Sequence, residues 1–139
     1  MTNQVTSIEQ SKRLLELGVP AEKASMVWCP MYRFDVETKQ FIHIGEYDLC
    51  MKHKAYTVIK EDIIPAFTVA DLLYVLPKIL YDNYGNALPL NVTTSTGSYW
   101  CLFWGNWGTH KGWEDSASLV DLLTTAVEWV VSNGYKLNV

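Results

Sequence analysis

Six consecutive residues, Tyr99-Trp100-Cys101-Leu102-Phe103-Trp104, set the strongest condition on how this chain can fold. Read as a strand, the run alternates: Tyr99, Cys101 and Phe103 face one way, and Trp100, Leu102 and Trp104 the other. Both faces are apolar, whereas an antiparallel sheet open to water shows one polar face. The strand therefore needs two covers. Helices can supply one. Further helices, a second subunit or a ligand must supply part of the other.

The residues that follow, Gly105 to Trp113, differ in kind. Gly105, Gly108 and Gly112 imply a turned backbone. Trp107 and Trp113 stand where neither a strand nor a helix obliges them to be buried. They either fold back as lids on the core or form an aromatic surface for a partner. Trp104, Trp107, His110 and Trp113 are thus the candidate interaction surface. Trp104, Trp107 and Trp113 are the expected anchors of a two-fold homodimer, because Trp dominates interface energetics.

Around this strand the chain reads as an α+β fold. Thr6 and Ser7 are N-cap types with Glu9 and Gln10 three residues on, and Leu14, Leu15 and Leu17 follow before Gly18 ends the first helix. Pro20 opens a short second helix, Ala21 to Met26, which completes an N-terminal helical hairpin. Met31–Phe34 and Gln40–Ile44 flank Asp35–Lys39 as a β-hairpin, and Tyr56–Ile59 is a further strand. Thr68 and Asp71 start a helix running from Val69 to Tyr81 that must kink or restart at Pro77, where a backbone donor is missing. Leu88–Thr94 and Ser98–Gly105 pair around Ser95-Thr96-Gly97. Asn106–Asp115 is irregular. A long C-terminal helix begins near Ser116 or Ser118 and stops at Asn133-Gly134. The expectation is one domain over residues 1–139, with an antiparallel sheet of about 4–6 strands packed against 3–4 helices.

A chain of 139 residues can bury roughly two-thirds of its unfolded surface, so it folds without staples. Its formal net charge of −4 leaves Lys52-His53-Lys54 and Lys60 as the only basic cluster, too small for a groove that tracks phosphates. The polar start, Met1–Ser7, has no apolar h-region, and no apolar run reaches the ~20 residues of a membrane span. Cys29, Cys50 and Cys101 are odd in number and widely spaced, as expected of reduced thiols in a bacterial cytoplasm.

Constellations with chemistry are thin. Cys50-Met51-Lys52-His53 has the spacing of half a zinc site, but no second pair completes it. No cysteine is marked as an activated nucleophile, and Cys101 lies in an apolar strand that disfavours a thiolate. Asp48, Glu61, Asp62, Glu114 and Asp115 read as a solvated rim. There is no phosphate-cradling glycine motif and no serine elbow. No metal or cofactor is expected. Three function classes follow: a non-enzymatic interaction protein that self-associates or binds a host or phage protein; a small ligand-binding or hydrolytic domain using the 105–113 loop with His110; and a nucleic-acid accessory protein using Lys52–Lys60.

Three segments add a resemblance. They are Ser7-Ile8-Glu9-Gln10-Ser11-Lys12-Arg13-Leu14-Leu15-Glu16-Leu17-Gly18, then Ile64-Pro65-Ala66-Phe67-Thr68-Val69-Ala70-Asp71-Leu72-Leu73 with Leu76-Pro77, then Leu119-Val120-Asp121 through Glu128-Trp129-Val130. Together they resemble a group of small uncharacterised proteins encoded by prophages and mobile elements of gut Bacteroidetes, whose members more often carry Trp where Phe67 stands. The shared segments are caps and helix stripes. The resemblance implies a bacterial cytoplasm and an accessory phage role, and it carries no catalytic residue.

Overall fold

The computed structural model describes residues 4–51, 63–95, 99–105, 113–116 and 118–139. Within them the chain is α+β, with antiparallel strands. In place of one sheet there are two. The first has the order β2-β1-β3, built from β1 (Met26–Asp35), β2 (Gln40–Met51) and β3 (Ile64–Ala66). The second has the order β4-β5-β6-β7, from β4 (Ile79–Tyr81), β5 (Ala87–Ser95), β6 (Tyr99–Trp104) and β7 (Trp113–Ser116).

Helix α1 (Ile8–Glu16) starts at a reciprocal cap: Gln10 N–H donates to Ser7 Oγ at 3.1 Å, and Ser7 N–H donates to Gln10 Oε1 at 2.9 Å. Thr6 serves packing instead. Its buried hydroxyl bonds Ser11 Oγ and accepts from Phe67 N–H. The second helix of the expected hairpin is only one 3-10 turn, Ala21–Lys23, and Met26 already lies in β1. A carboxylate accounts for the change. Asp71 accepts from Ser25 N–H at 2.8 Å and from the Ser25 hydroxyl, drawing this segment out of helical geometry. The same carboxylate closes the capping box of α2 (Val69–Val75) by accepting from Thr68 N–H at 2.9 Å.

Pro77 ends α2 rather than kinking it. The residue before a proline avoids the helical region, and Leu76 is extended at ψ 138°. The chain then runs into β4 instead of a second helical segment. The carbonyls left without helical donors find others. Lys78 Nζ donates to Leu73 O and Leu76 O, and Asn138 donates through its side chain to Tyr74 O and through its backbone to Val75 O. Burial lowers the Lys78 pKa.

Helix α3 (Leu119–Ser132) lays Val120, Leu122, Leu123, Ala126, Val127 and Val130 into the core, against α2, β6 and β7. Leu102 and Trp104 of β6 are fully buried there, and Cys101 on the opposite face is 2% exposed. The centre of β6 is therefore covered on both faces, as its two-sided apolarity requires, and one chain supplies the cover. The buried centre of β6 does not by itself call for a second copy. Beyond Trp104 the chain turns at Gly105, φ 81°, where a Cβ would lie 2.7 Å from the Leu88 side chain. The stretch expected to be irregular contains β7, whose Trp113 lies opposite Leu102.

Candidate interaction surface

The four residues expected to form one surface do not share a fate. Trp104 is core. Its Nε1–H donates to Pro77 O at 2.9 Å, and its ring stacks on Trp129, 5.5 Å away and tilted by 20°. Trp129 in turn stacks on Tyr135. Trp113 opens a strand. Trp107 and His110 lie outside the described residues, as do Lys52, His53, Lys54 and Lys60 and the strand expected at Tyr56–Ile59.

Open apolar surface is instead concentrated on the β1–β2 hairpin. At its base, Val27 and Cys29 are buried with Cys50 and Ile63 packed on them. Cover stops at Pro30. From Met31 onward every residue of β1 is half-buried or exposed, and Gln40 to Glu46 are all exposed. A bulge marks the change. Between the pairs Pro30–Tyr47 and Tyr32–His43, Met31 of β1 stands opposite Ile44, Gly45 and Glu46 of β2. Gly45 adopts φ 85°, which a side chain would resist. Asp35 shapes the tip: its carboxylate accepts from Glu37 N–H and the Thr38 hydroxyl, while its carbonyl accepts from Lys39 N–H.

The register sorts the side chains of this arm. Tyr32 pairs with His43 and Phe34 with Phe41, so these four rings share one face, while Arg33, Asp35, Gln40 and Ile42 take the other. Phe34 is 50% exposed and Phe41 71%. The rings touch at angles: Tyr32–His43 at 5.6 Å and 47°, Phe34–Phe41 at 5.3 Å and 63°, His43–Tyr47 at 5.1 Å and 78°. These are the tilted and edge-to-face contacts of a protein core, lying open on one side. The pattern was present in the sequence as Tyr32, Phe34, Phe41 and His43 at period two. What could not be read there was that no helix among the described residues reaches them.

Other features offer little chemistry. A shallow cavity of about 330 Å³ at the hairpin base is lined by Gln4, Val5, Met26, Leu49, Thr68, Val69 and Ala70, none of them titratable. The Cys29 thiol is pushed up to about 12, by burial first and then by its contact with Cys50, which disfavours its thiolate. Among the described residues, no group of three His, Cys, Asp or Glu side chains could hold a metal, and no helix is long and apolar enough to cross a membrane. Compared with family models, curated proteins and solved structures, the chain matches none.

Proposed function

We propose that this chain is a non-enzymatic protein-interaction protein whose docking element is the outer half of the β1–β2 hairpin, acting in a bacterial cytoplasm in the accessory, phage-like role implied by the resemblance. One observation carries this reading: an aromatic face, centred on Phe34 and Phe41, that the other described residues leave open. Contiguous apolar surface of this kind marks an interaction site in a protein that remains in solution. A photo-crosslinking amino acid placed at Phe41, in cells that make the chain, should capture a discrete protein adduct. The same group at Tyr84, 90% exposed in the turn before β5, should not. Equal labelling at both positions, or none at Phe41, would remove the hairpin from consideration.

A further inference from the structure

We infer that the occupant of this aromatic face is the same face of a second copy of the chain, packed across a two-fold axis. The inference rests on the reading that the hairpin is an interaction surface, and three observations choose the partner.

The first is ring geometry. A nucleobase or a sugar ring stacks on a flat aromatic face, but the rings here are tilted by 47° to 78° to one another. They present ridges and notches, the relief that another set of side chains fills. The second is charge. No Asp, Glu, Lys or Arg stands among the four paired rings, because alternation sends Arg33 and Asp35 to the opposite face. Two copies can close on each other without burying an ion, which would cost several kcal/mol. The surrounding arm has Arg33 and Lys39 against Asp35, Glu37, Glu46 and Asp48. That acidic balance opposes phosphate backbones and anionic lipid surfaces. The third is area. With about 150–250 Å² per aromatic side chain, the open parts of Phe34, 50% exposed, and Phe41, 71% exposed, alone come to roughly 250 Å² per copy, to which the exposed His43 and the half-buried Tyr32 and Tyr47 add. Two copies then bury on the order of 1,000 Å², the lower bound of a specific interface. The expected product is a reversible dimer in the micromolar range. The axis crosses the ribbon so that Phe34 and Phe41 of each copy pack over the contacting Tyr32 and His43 rings of the other.

Sedimentation of the full chain across a wide concentration range tests this. The wild type should pass from monomer to dimer within the micromolar range. Phe41→Glu should raise the dissociation constant by at least about 30-fold, the effect of removing one central anchor. Ile42→Glu, which places the same charge on the opposite face, should leave it within about threefold. Both positions are exposed, so both variants should keep the wild-type circular dichroism, and Phe41→Leu should retain the dimer. A wild type that stays monomeric at several hundred micromolar overturns the second copy. So does a dimer that ignores Phe41→Glu, or one broken equally by Ile42→Glu. If the Phe41 crosslink then captures a different protein, the hairpin remains an interaction element and only self-association is lost.

Discussion

Two aromatic strands in this molecule have opposite environments. β6 carries Trp100, Phe103 and Trp104, and its end is sealed by a stack that runs from Trp104 through Trp129 to Tyr135. The outer hairpin carries Tyr32, Phe34, Phe41 and His43, and nothing among the described residues lies over Phe41. Composition does not separate them, but available cover does. Helix α3 has 14 residues, a rod of about 21 Å, and it is spent on β6, β7, α1 and α2. β2 alone has 12 residues and extends about 40 Å, so its far half runs past every helix among the described residues. An apolar strand becomes core where a helix can reach it and stays open where no described helix can.

The sharpest way to break this contrast is to remove one ring from the covered side. Trp104→Ala deletes a fully buried indole, its stack on Trp129 and its bond to Pro77 O. It should cost about 3–5 kcal/mol, enough to leave a marginal domain largely unfolded. Urea titration followed by far-UV circular dichroism measures the loss. A cost below about 1 kcal/mol would mean that β6 is not core, since that is the range of exposed sites.

Next in size is the tether that holds the hairpin to the body. Asp71 binds Thr68 N–H within α2 and reaches Ser25, one residue before β1. Asp71→Ala leaves the Thr68 hydroxyl cap in place but removes the reciprocal carboxylate and strands the Ser25 and Thr68 donors, for about 2–3 kcal/mol. Hydrogen exchange should then quicken at the first residues of β1 and of α2 together. Loss confined to α2 would show that the hairpin is anchored some other way.

Much of the covered half was legible in the sequence, because its signals are local. Ser7 with Gln10 and Thr68 with Asp71 form the capping boxes that their spacing implies, and Asn133-Gly134 ends α3 with Gly134 at φ 79°. The errors came where a distant group decided. Ala21–Met26 looks helical until Asp71 bonds Ser25 from 46 residues away. Leu76-Pro77 could kink or stop a helix, and stopping is viable because Lys78 and Asn138 satisfy the freed carbonyls. The open face was legible only as a pattern. Phe34 and Phe41 alternate correctly for a strand, but exposure depends on where α3 ends, which no local signal states. The tryptophans of β6 drew attention for their size and proved largely to be the ordinary contents of a core.

The boundary between the two environments can be titrated at Cys29, the last buried thiol before cover stops at Pro30. An unfolded cysteine loses its proton near 9, while burial and the contact with Cys50 hold Cys29 up to about 12. The folded pKa is raised, so the stability tied to the protonated thiol is complete below pH 9 and is lost as pH climbs toward 12. Between about pH 8.5 and pH 10.5 the wild type should lose on the order of 1 kcal/mol more than Cys29→Ala does. Parallel slopes for the two proteins would place Cys29 in solvent and move the end of cover inward to Val27.

The smallest effect belongs to the uncovered face. Phe41→Thr keeps a β-branched side chain in the strand and removes a ring that is 71% exposed. What the folded monomer loses is its edge-to-face contact with Phe34 across the hairpin, a cross-strand pair of about 0.5 kcal/mol. Measured at submicromolar concentration, where dimers are absent, its urea midpoint should nearly match the wild type. The difference should widen as concentration rises, because the wild type then gains stability by mass action and the variant does not. That concentration dependence distinguishes an open face from a badly packed core. A core position pays its full cost at any dilution, whereas an interface position pays only when a partner is there to be lost. A loss of several kcal/mol for Phe41→Thr in dilute monomer would put the hairpin in the same class as β6 and erase the contrast between the two strands.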